Sequence, residues 1–366
     1  MTENQWQITL NEYIKQGEPD QADKSAAWQT AIGLQDVDGL KTSEYLLETA
    51  KDHIEGKIDI SSAKKRIESY YEQLDNRSQI DADTKEADIV AARITELLGE
   101  KTFQFSPAEW QSIHRRLFEG VFSHAGKLRT YNISKKEWVL NGDTVIYASY
   151  DSIPATLDYD FNQEKLFSYS GLSAEEALKH IAKFTSGIWQ IHPFGEGNTR
   201  ATAVFIIKYL RSFGFSVSND VFRDNSWYFR NALVRANYND LKNNIHATTQ
   251  YLELFFENLI LNRKHKLKNR YLHIDYSEQN IQSAKSDFSK CQIGTLDCTL
   301  EELAVLKAIT ENCNITQKQL AELTGQSERS IKRRTSTLQE KGLLRRINGK
   351  RNGKWEILVN LTKYGS

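Results

Sequence analysis

Proline is scarce in this chain, and that scarcity limits the fold more than any other single feature. The sequence has 366 residues and only four prolines: Pro19, Pro107, Pro154 and Pro193. Because proline interrupts helix interiors, its near absence leaves most of the chain free to form long helices. The length favours two or three domains over one compact core. We therefore predict a mainly α fold divided into more than one domain.

Composition excludes several classes of protein. The chain has 48 basic and 48 acidic residues, so any attraction to nucleic acid must be local. Three cysteines without a CxxC pair support neither a disulfide framework nor a cysteine-rich zinc site. The first residues lack the pattern of a secretory signal, and no run approaches the roughly 18 apolar residues of a membrane span. We expect a cytoplasmic protein that makes no contact with membranes.

Helix signals recur along the chain. Ser106 followed by Pro107 and Glu109 is typical of a capped helix start, and Ser173 opens a second helix in the same way. Gly56 is placed to end an N-terminal helix. Helical patterns cover most of residues 1–80, 86–119, 173–189, 200–213, 226–239 and 246–262.

One segment changes to a β pattern. The apolar runs 138–140 and 145–147 flank Asn141-Gly142, the residue pair preferred in two-residue type I′ turns. We predict a β-hairpin here, and call residues 138–147 the flap.

A nine-residue loop carries the chemistry: His192-Pro-Phe-Gly-Glu-Gly-Asn-Thr-Arg200. One predicted helix precedes it and another follows, so the loop feeds a helix N-terminus, where free amides and the helix dipole favour an anion. Gly195 and Gly197 allow close approach of the backbone to phosphate. An ordinary helical corner is the simpler interpretation, but it leaves this dense set of polar residues unexplained.

The polar residues of the loop suit phosphoryl transfer. Arg200 can grip phosphate oxygens and Asn198 can donate to one. Glu196 offers hard oxygen atoms to Mg²⁺. His192, which we expect at the open mouth of the loop, can take a proton from an attacking hydroxyl. The reaction needs little beyond such positioning and charge neutralisation. The hypothesis requires an accessible imidazole and free loop amides.

The loop resembles the Fic/Doc signature HPFx[D/E]GN[G/K]R and agrees with it at eight of nine positions. The similarity extends over roughly residues 86–262 and includes Gly126-Lys-Leu-Arg129 and the helix around Trp227. It implies a Fic-type helical fold with a β-hairpin flap. It also implies transfer of AMP from ATP onto a Ser, Thr or Tyr hydroxyl of a target protein or of the chain itself.

The resemblance also implies residue roles. His192 would be the general base, and Glu196 would hold Mg²⁺ against the nucleotide phosphates. Five loop residues, Gly195, Gly197, Asn198, Thr199 and Arg200, would bind the phosphates. Tyr228 and Asn237 would lie near the adenosine, with a core aromatic and a helix cap as the competing interpretations. In the flap, Val145, Ile146 and Tyr147 would pair with an extended segment of the target.

Two departures from the family pattern bear on nucleotide choice and regulation. Thr199 replaces the usual Gly or Lys, which narrows the anion site but adds a hydroxyl. The N-terminal segment is similar to the antitoxin module of some Fic proteins, whose inhibitory motif is [S/T]xxxE[G/N]. Asp38-Gly39 stands in the Glu-Gly place and Leu34 in the Ser/Thr place. Asp38 is therefore a candidate inhibitor of Arg200, although its side chain is short; a simple helical scaffold is the alternative.

The C-terminal residues resemble a winged helix-turn-helix. Three capped helical patterns are followed by two short β patterns around a basic turn. Between positions 315 and 360, eleven Lys/Arg stand against four Asp/Glu, a net of +7. Such local charge predicts contacts to a phosphate backbone, and a protein-docking wing is the alternative. The candidate DNA-binding residues are Arg329, Lys332, Arg333, Lys350 and Arg351.

These observations predict four regions. Residues 1–80 are the antitoxin-like segment, 81–262 the Fic domain, 263–298 a linker and 299–366 the winged helix-turn-helix. A DNA-binding regulator, whose Fic domain is regulatory or takes another nucleotide, is the second functional hypothesis. The sequence leaves open whether the chain forms homo-oligomers.

Overall fold

The computed structural model describes residue 6, residues 12–13 and residues 19–74, 82–215, 220–276, 298–347 and 353–358. Within these ranges there are thirteen α-helices and one two-stranded antiparallel sheet. The helices are α1 (Pro19–Gly33), α2 (Glu44–Ile54), α3 (Ile60–Leu74), α4 (Ala82–Gly99), α5 (Pro107–Phe118), α6 (Ile153–Leu166), α7 (Ala174–Ile191), α8 (Asn198–Ser212), α9 (Asp220–Ala236), α10 (Gln250–Leu261), α11 (Leu300–Glu311), α12 (Gln317–Thr324) and α13 (Glu328–Glu340). The prediction of a mainly α fold is confirmed. Helix α6 was not predicted.

Side-chain caps begin the helices that the sequence predicted. The Ser106 hydroxyl accepts the amide of Glu109 at the start of α5. At α7, Ser173 and Glu176 form a reciprocal capping box. Each cap satisfies an amide that has no partner within its helix. The local sequence signals therefore placed these helix starts correctly.

Helix α8 is the central element of the fold. Every residue from Asn198 to Leu210 is buried, as expected of a helix that is apolar on nearly all sides. It packs against α4, α5 and α7. The loop with the nine-residue motif leads directly into this helix, so its position is fixed by the core.

The N-terminal helices pack closely on the rest of the fold. Helix α1 contacts α4 and α9, and the 3-10 helix that follows it, Leu34–Asp38, contacts α8 and α9. A side chain at Gly33 would place its Cβ 2.4 Å from the Cα atom of Arg223. This contact brings the chain before Asp38 against α9.

The flap contains the predicted turn but not the predicted strands. Asn141 and Gly142 have φ of 55° and 85°, and the Asp143 amide donates to the Leu140 carbonyl, as in a type I′ turn. However, Trp138–Leu140 is a 3-10 helix, and no strand is assigned anywhere in residues 129–157, all of which are described. The amides of Leu140 and Gly142 both donate to the carbonyl of Glu137. Because of these bonds, the amides of Leu140 and Gly142 cannot pair with a second strand.

The segment after α10 packs against the flap. Asn269–Tyr271 forms a 3-10 turn, and Leu272 is fully buried. The amide of Ile274 donates to the carbonyl of Val139 at 2.9 Å. This packing covers residues 263–276 of the predicted linker; residues 277–297 lie outside the described part of the chain.

The C-terminal unit has the predicted three helices and two strands. Strand β1 (Leu344–Ile347) pairs antiparallel with β2 (Lys354–Ile357). The basic turn between them, residues 348–352, lies outside the described residues. The unit touches the end of α8, since a Cβ on Gly214 would lie 2.9 Å from the carbonyl oxygen of Thr324. None of the helices in the described ranges has the length and apolarity needed to cross a bilayer.

Candidate functional site

Two residues in left-handed conformation delimit the motif loop. Helix α7 ends at His192, whose φ is 47°, and α8 begins after Gly197, whose φ is 76°. A Cβ at Gly197 would lie 2.4 Å from the ring of Phe118. Only glycine fits this position, because both the backbone angle and the neighbouring ring exclude a side chain.

Aromatic packing and side-chain hydrogen bonds fix the loop. Phe194 is fully buried and stacks on His114 at 3.7 Å between ring centroids. The Nδ1 atom of His114 accepts the Gly126 amide, so its Nε2–H donates to the Glu196 carbonyl at 2.9 Å. Burial lowers the pKa of His114 to about 4, so the ring is neutral near pH 7.

Asn198 stabilises the loop from within. Its side-chain oxygen accepts the Phe194 amide at 3.0 Å, and its amide nitrogen donates to the Phe194 carbonyl at 2.8 Å. Its oxygen and one of its two N–H groups therefore hold the loop, and its predicted role as a phosphate donor, which now falls to the second N–H, stays a prediction.

The backbone amides of the motif loop are free to bind an anion. Within the described part of the chain, no protein acceptor binds the backbone N–H groups of residues 195–200. These amides surround the N-terminus of α8, where the helix dipole favours negative charge. The geometry therefore leaves room in the hydrogen-bond network for a phosphate group.

One ring nitrogen of His192 is free to accept a proton, but the ring is not exposed to solvent. Its Nδ1 lies 3.3 Å from the carbonyl oxygen of Trp189, an arrangement that makes Nδ1 the donor and leaves Nε2 as the acceptor. Nε2 is buried and has no partner. Burial, followed by the nearby charge of Lys135, holds the pKa of His192 well below its usual value. The ring is therefore neutral near pH 7.

The prediction that His192 lies at an open loop mouth is wrong. The residue is 3% exposed, and the Tyr147 ring lies 4.3 Å away between centroids. The Tyr147 hydroxyl in turn donates to Glu137, which is buried and paired with Arg230. The second half of the flap thus folds over the imidazole, a contact between residues distant in sequence.

The flap exposes only one of its three predicted docking residues. Val145 and Tyr147 face inward, whereas Ile146 is 83% exposed. Gln190 donates to the carbonyl of Ile146 at 3.0 Å. The flap is extended here with alternating faces, so its backbone can still add a segment along the remaining edge.

Glu196 faces outward and is held by a lysine. Its Oε2 lies 2.7 Å from Nζ of Lys135, and its side chain is 55% exposed. Among the described residues, no three His, Cys, Asp or Glu side chains come together to hold a metal by themselves. A single carboxylate suits Mg²⁺, which keeps several waters and takes further ligands from substrate phosphates. Glu196 therefore fits the predicted ion as one ligand among several.

The buried Arg200 side chain lies at the centre of a cluster that reaches the surface at Asp38. Its Nη2 pairs with Glu86 at 2.5 Å, and its Nη1 donates to Gln35 at 3.1 Å. Its Nε lies 2.8 Å from the Asp38 carboxylate, although the N–H does not point along a hydrogen bond. The guanidinium also lies over the Phe118 ring at 4.8 Å. We call these five residues the Arg200 cluster.

The cluster shows that the short Asp38 side chain does reach Arg200. Sequence reasoning missed Glu86 and Gln35, which come from α4 and from the 3-10 helix after α1. No local pattern marks Glu86, because it is 114 positions from Arg200. Gln35 lies three residues before Asp38, on the same short helix. That proximity was the available signal.

Arg129 joins the flap to the motif loop and was given no role from the sequence. Its guanidinium donates to the carbonyls of His192 at 2.8 Å and Tyr131 at 2.7 Å, and also to those of Ala148 and Ile191. The side chain is buried. Two of these carbonyls, those of Ile191 and His192, lie at the C-terminus of α7, where a cation is favourable.

Two predicted nucleotide contacts are engaged within the core. The Tyr228 hydroxyl is buried and donates to the carbonyl of Tyr251, so this residue is a core aromatic. The Asn237 side chain donates to the carbonyls of Ser186 and Leu233. Thr199 is buried, and its hydroxyl accepts the indole N–H of Trp189 at 3.0 Å, so the hydroxyl holds α7 against α8 while the backbone amide of Thr199 stays in the anion site.

The winged unit presents a basic helix face. Arg329, Lys332 and Arg333 on α13 are exposed, and their spacing places them on one side of the helix. Lys350 and Arg351 lie outside the described residues. Three of the five predicted DNA-binding residues therefore form a solvent-facing cationic surface.

Comparison with known proteins agrees with both units. Residues 104–210 match the model of the Fic/DOC family, and residues 302–345 match that of a winged helix-turn-helix described as DNA-binding. A curated relative, protein adenylyltransferase VbhT of Bartonella schoenbuchensis, is 27% identical over 117 residues. That match covers 32% of this chain and 23% of the relative, so the chain spans about a quarter of that protein's length.

A solved Fic family protein from Desulfovibrio desulfuricans G20 is also similar, at 13% identity and a TM-score of 0.44. The alignment covers 98% of this chain and 96% of that one. The family models thus match one segment in the middle of the chain and one near its C-terminus. Both matched segments lie inside the predicted regions 81–262 and 299–366, whose boundaries stay predictions.

Proposed function

We propose that this protein transfers AMP from ATP to a Ser, Thr or Tyr hydroxyl of a target protein or of itself. The observation that carries the proposal is the protonation state of His192, and the reaction requires the flap to move aside, because Tyr147 covers the ring in this structure. The ring is neutral, its Nδ1 is held by a backbone carbonyl, and its Nε2 is an acceptor without a partner. Next to it lies a loop whose amides are free for an anion. Base and anion site thus belong to one loop.

The proposed step is a displacement at the α-phosphorus of ATP. The hydroxyl oxygen forms a bond to this phosphorus while the bond to the bridging oxygen of the β-phosphate breaks. Pyrophosphate leaves, and the hydroxyl proton passes to Nε2 of His192. The amides of residues 195–199, including those of Gly195 and Gly197, would stabilise the charge on the α-phosphate.

The other charged residues would act on the outer phosphates. Glu196 would hold Mg²⁺, which neutralises phosphate charge during transfer. Arg200 would bind the terminal phosphates after leaving its present partners. Because Tyr147 covers His192 and two carboxylates occupy Arg200, the structure corresponds to a closed form. We propose that two carboxylates keep the enzyme inhibited by occupying Arg200: that of Glu86 on α4, which makes the stronger contact, and that of Asp38 at the end of residues 19–38.

The proposal is tested by labelling with α-labelled ATP and Mg²⁺. The double variant Asp38→Asn/Glu86→Gln, which should release Arg200, is compared with wild type and with the same variant carrying His192→Ala. We expect labelled protein only where His192 is present, and mass spectrometry identifies the group as AMP. Labelling by another nucleotide alone would favour different phosphate chemistry. Absence of labelling by any nucleoside triphosphate in the released variant would contradict the proposal.

DNA binding through the winged unit is the second candidate function. The exposed face with Arg329, Lys332 and Arg333 supports it, since a basic helix of this kind contacts phosphates. Full-length protein should bind duplex DNA with an affinity that falls steeply with salt. The triple variant to glutamine should lose most of that binding; equal binding by this variant would refute the assignment. A cytoplasmic location and assembly into homo-oligomers stay predictions.

A further inference from the structure

The ion pair between Lys135 and Glu196 joins the predicted metal ligand to the segment before the flap. The two charged groups are 2.7 Å apart. The Lys135 side chain is 25% exposed, so its ammonium lies in a partly desolvated place. An ammonium held against a carboxylate neutralises part of its charge and repels an incoming divalent cation, so the ion pair competes with Mg²⁺ for Glu196.

Both partners are held in position by their backbones. The Lys135 amide donates to the Thr144 hydroxyl at 3.1 Å, which ties this segment to the far side of the flap. The Glu196 carbonyl accepts a hydrogen bond from His114. The Lys135 charge is also, after burial, the largest cause of the lowered pKa of His192. The ammonium therefore contacts the carboxylate, and its charge also acts on the imidazole.

We propose that Lys135 is a tethered cation that pairs with Glu196 in the nucleotide-free protein and competes with a divalent metal for that carboxylate. The inference rests on the proposed function, because it takes Glu196 as the metal ligand. Lys135 is thus a positioning residue that sets how strongly nucleotide binding depends on metal. Without metal, its charge offsets the repulsion between Glu196 and the phosphates. With metal, the same charge opposes the incoming cation.

The test measures equilibrium binding of the non-transferable α,β-methylene analogue of ATP. Its affinity is determined for full-length protein with saturating Mg²⁺ and with a chelator, and the ratio of the two affinities is the metal enhancement. Four proteins are compared: wild type, Lys135→Met, Lys136→Met and Glu196→Gln. Lys136 is the matched control, since it is the adjacent, exposed lysine. Binding is a readout independent of transfer activity.

We expect the metal enhancement to rise about threefold to tenfold in Lys135→Met, as the loss of a partly exposed ion pair implies. It should stay within about twofold of wild type in Lys136→Met, since exposed charges away from a site contribute little. In Glu196→Gln it should fall toward one.

An unchanged or smaller enhancement in Lys135→Met, together with a loss in Glu196→Gln, would overturn the role of Lys135 and leave the metal assignment intact. A wild-type enhancement in Glu196→Gln would overturn the metal assignment and this inference with it. Failure of every protein to bind the analogue would instead contradict the proposed nucleotide site, on which the inference depends.

Discussion

Replacing Glu86 by glutamine should activate the protein more than replacing Asp38 by asparagine. Both carboxylates contact the guanidinium of Arg200, which is 1% exposed. Glu86 makes a true hydrogen bond at 2.5 Å, whereas Asp38 makes an ion pair at 2.8 Å without hydrogen-bond direction. The two contacts therefore differ in kind, and their removal should differ in effect.

The magnitude follows from the type of contact. A charge-assisted hydrogen bond contributes about 1.5–3 kcal/mol, while an ion pair without good geometry contributes about 0.2–1 kcal/mol. To reach Arg200, the proposed ATP phosphates must displace both carboxylates. A variant that weakens the contact between Arg200 and a carboxylate should therefore make nucleotide binding more favourable by the same free energy. At about 1.4 kcal/mol per tenfold, Glu86→Gln should raise kcat/KM for ATP roughly tenfold to a hundredfold. Asp38→Asn should raise it about twofold to fivefold.

The assay is the initial rate of transfer from α-labelled ATP at concentrations below KM. Glu48→Gln, which changes an exposed carboxylate on α2, controls for net charge. Thermal melting shows whether each variant is folded, because loss of a partner for buried Arg200 also lowers stability. If folded Glu86→Gln is no faster than Asp38→Asn, the ranking by hydrogen-bond geometry is refuted. If neither exceeds wild type, these carboxylates do not exclude the nucleotide.

Three further predictions concern the motif loop. Tyr147→Ala should uncover His192 and accelerate its modification by diethyl pyrocarbonate several-fold, followed by peptide mass spectrometry; an unchanged rate would mean another residue covers the ring. Gly197→Ala should lower the free energy of unfolding by about 2–5 kcal/mol, measured by urea denaturation. Gly171→Ala, with similar φ but open space around its Cβ, should cost about 1–2 kcal/mol. His114 has a pKa of about 4, below the 6.5 of the unfolded chain. Its contribution to stability is therefore complete above pH 6.5 and declines toward pH 4, by about 1.4 kcal/mol per pH unit; His114→Gln should show a shallower loss between pH 7 and pH 5.

The structure confirms what depended on short stretches of sequence. The caps at Ser106 and Ser173 and the turn at Asn141-Gly142 each involve residues within a few positions of one another. Such signals are readable because the partners are fixed by helix or turn geometry.

What the sequence could not show depends on contacts between distant segments. His192 is covered by Tyr147, 45 positions earlier, and Arg200 is held by Glu86 from another helix. The flap strands were predicted from two apolar runs on either side of Asn141-Gly142, but a ladder also needs two chains whose amides are free to pair. The Glu137 carbonyl accepts the amides that a ladder would have used. Tertiary contacts here override local β propensity.

Helix α8 has a consequence that reaches beyond the motif loop. It is 15 residues long, so it spans about 22 Å, and it is buried from Asn198 to Leu210. One end forms the turn that is proposed to bind phosphate. Just beyond the other end, Gly214 packs against Thr324, the last residue of α12 in the winged unit. A helix that is packed on all sides along this length moves as a rigid body. A tilt of α8 caused by a ligand at its N-terminus would therefore also displace its contact with the winged unit, which carries the basic helix α13.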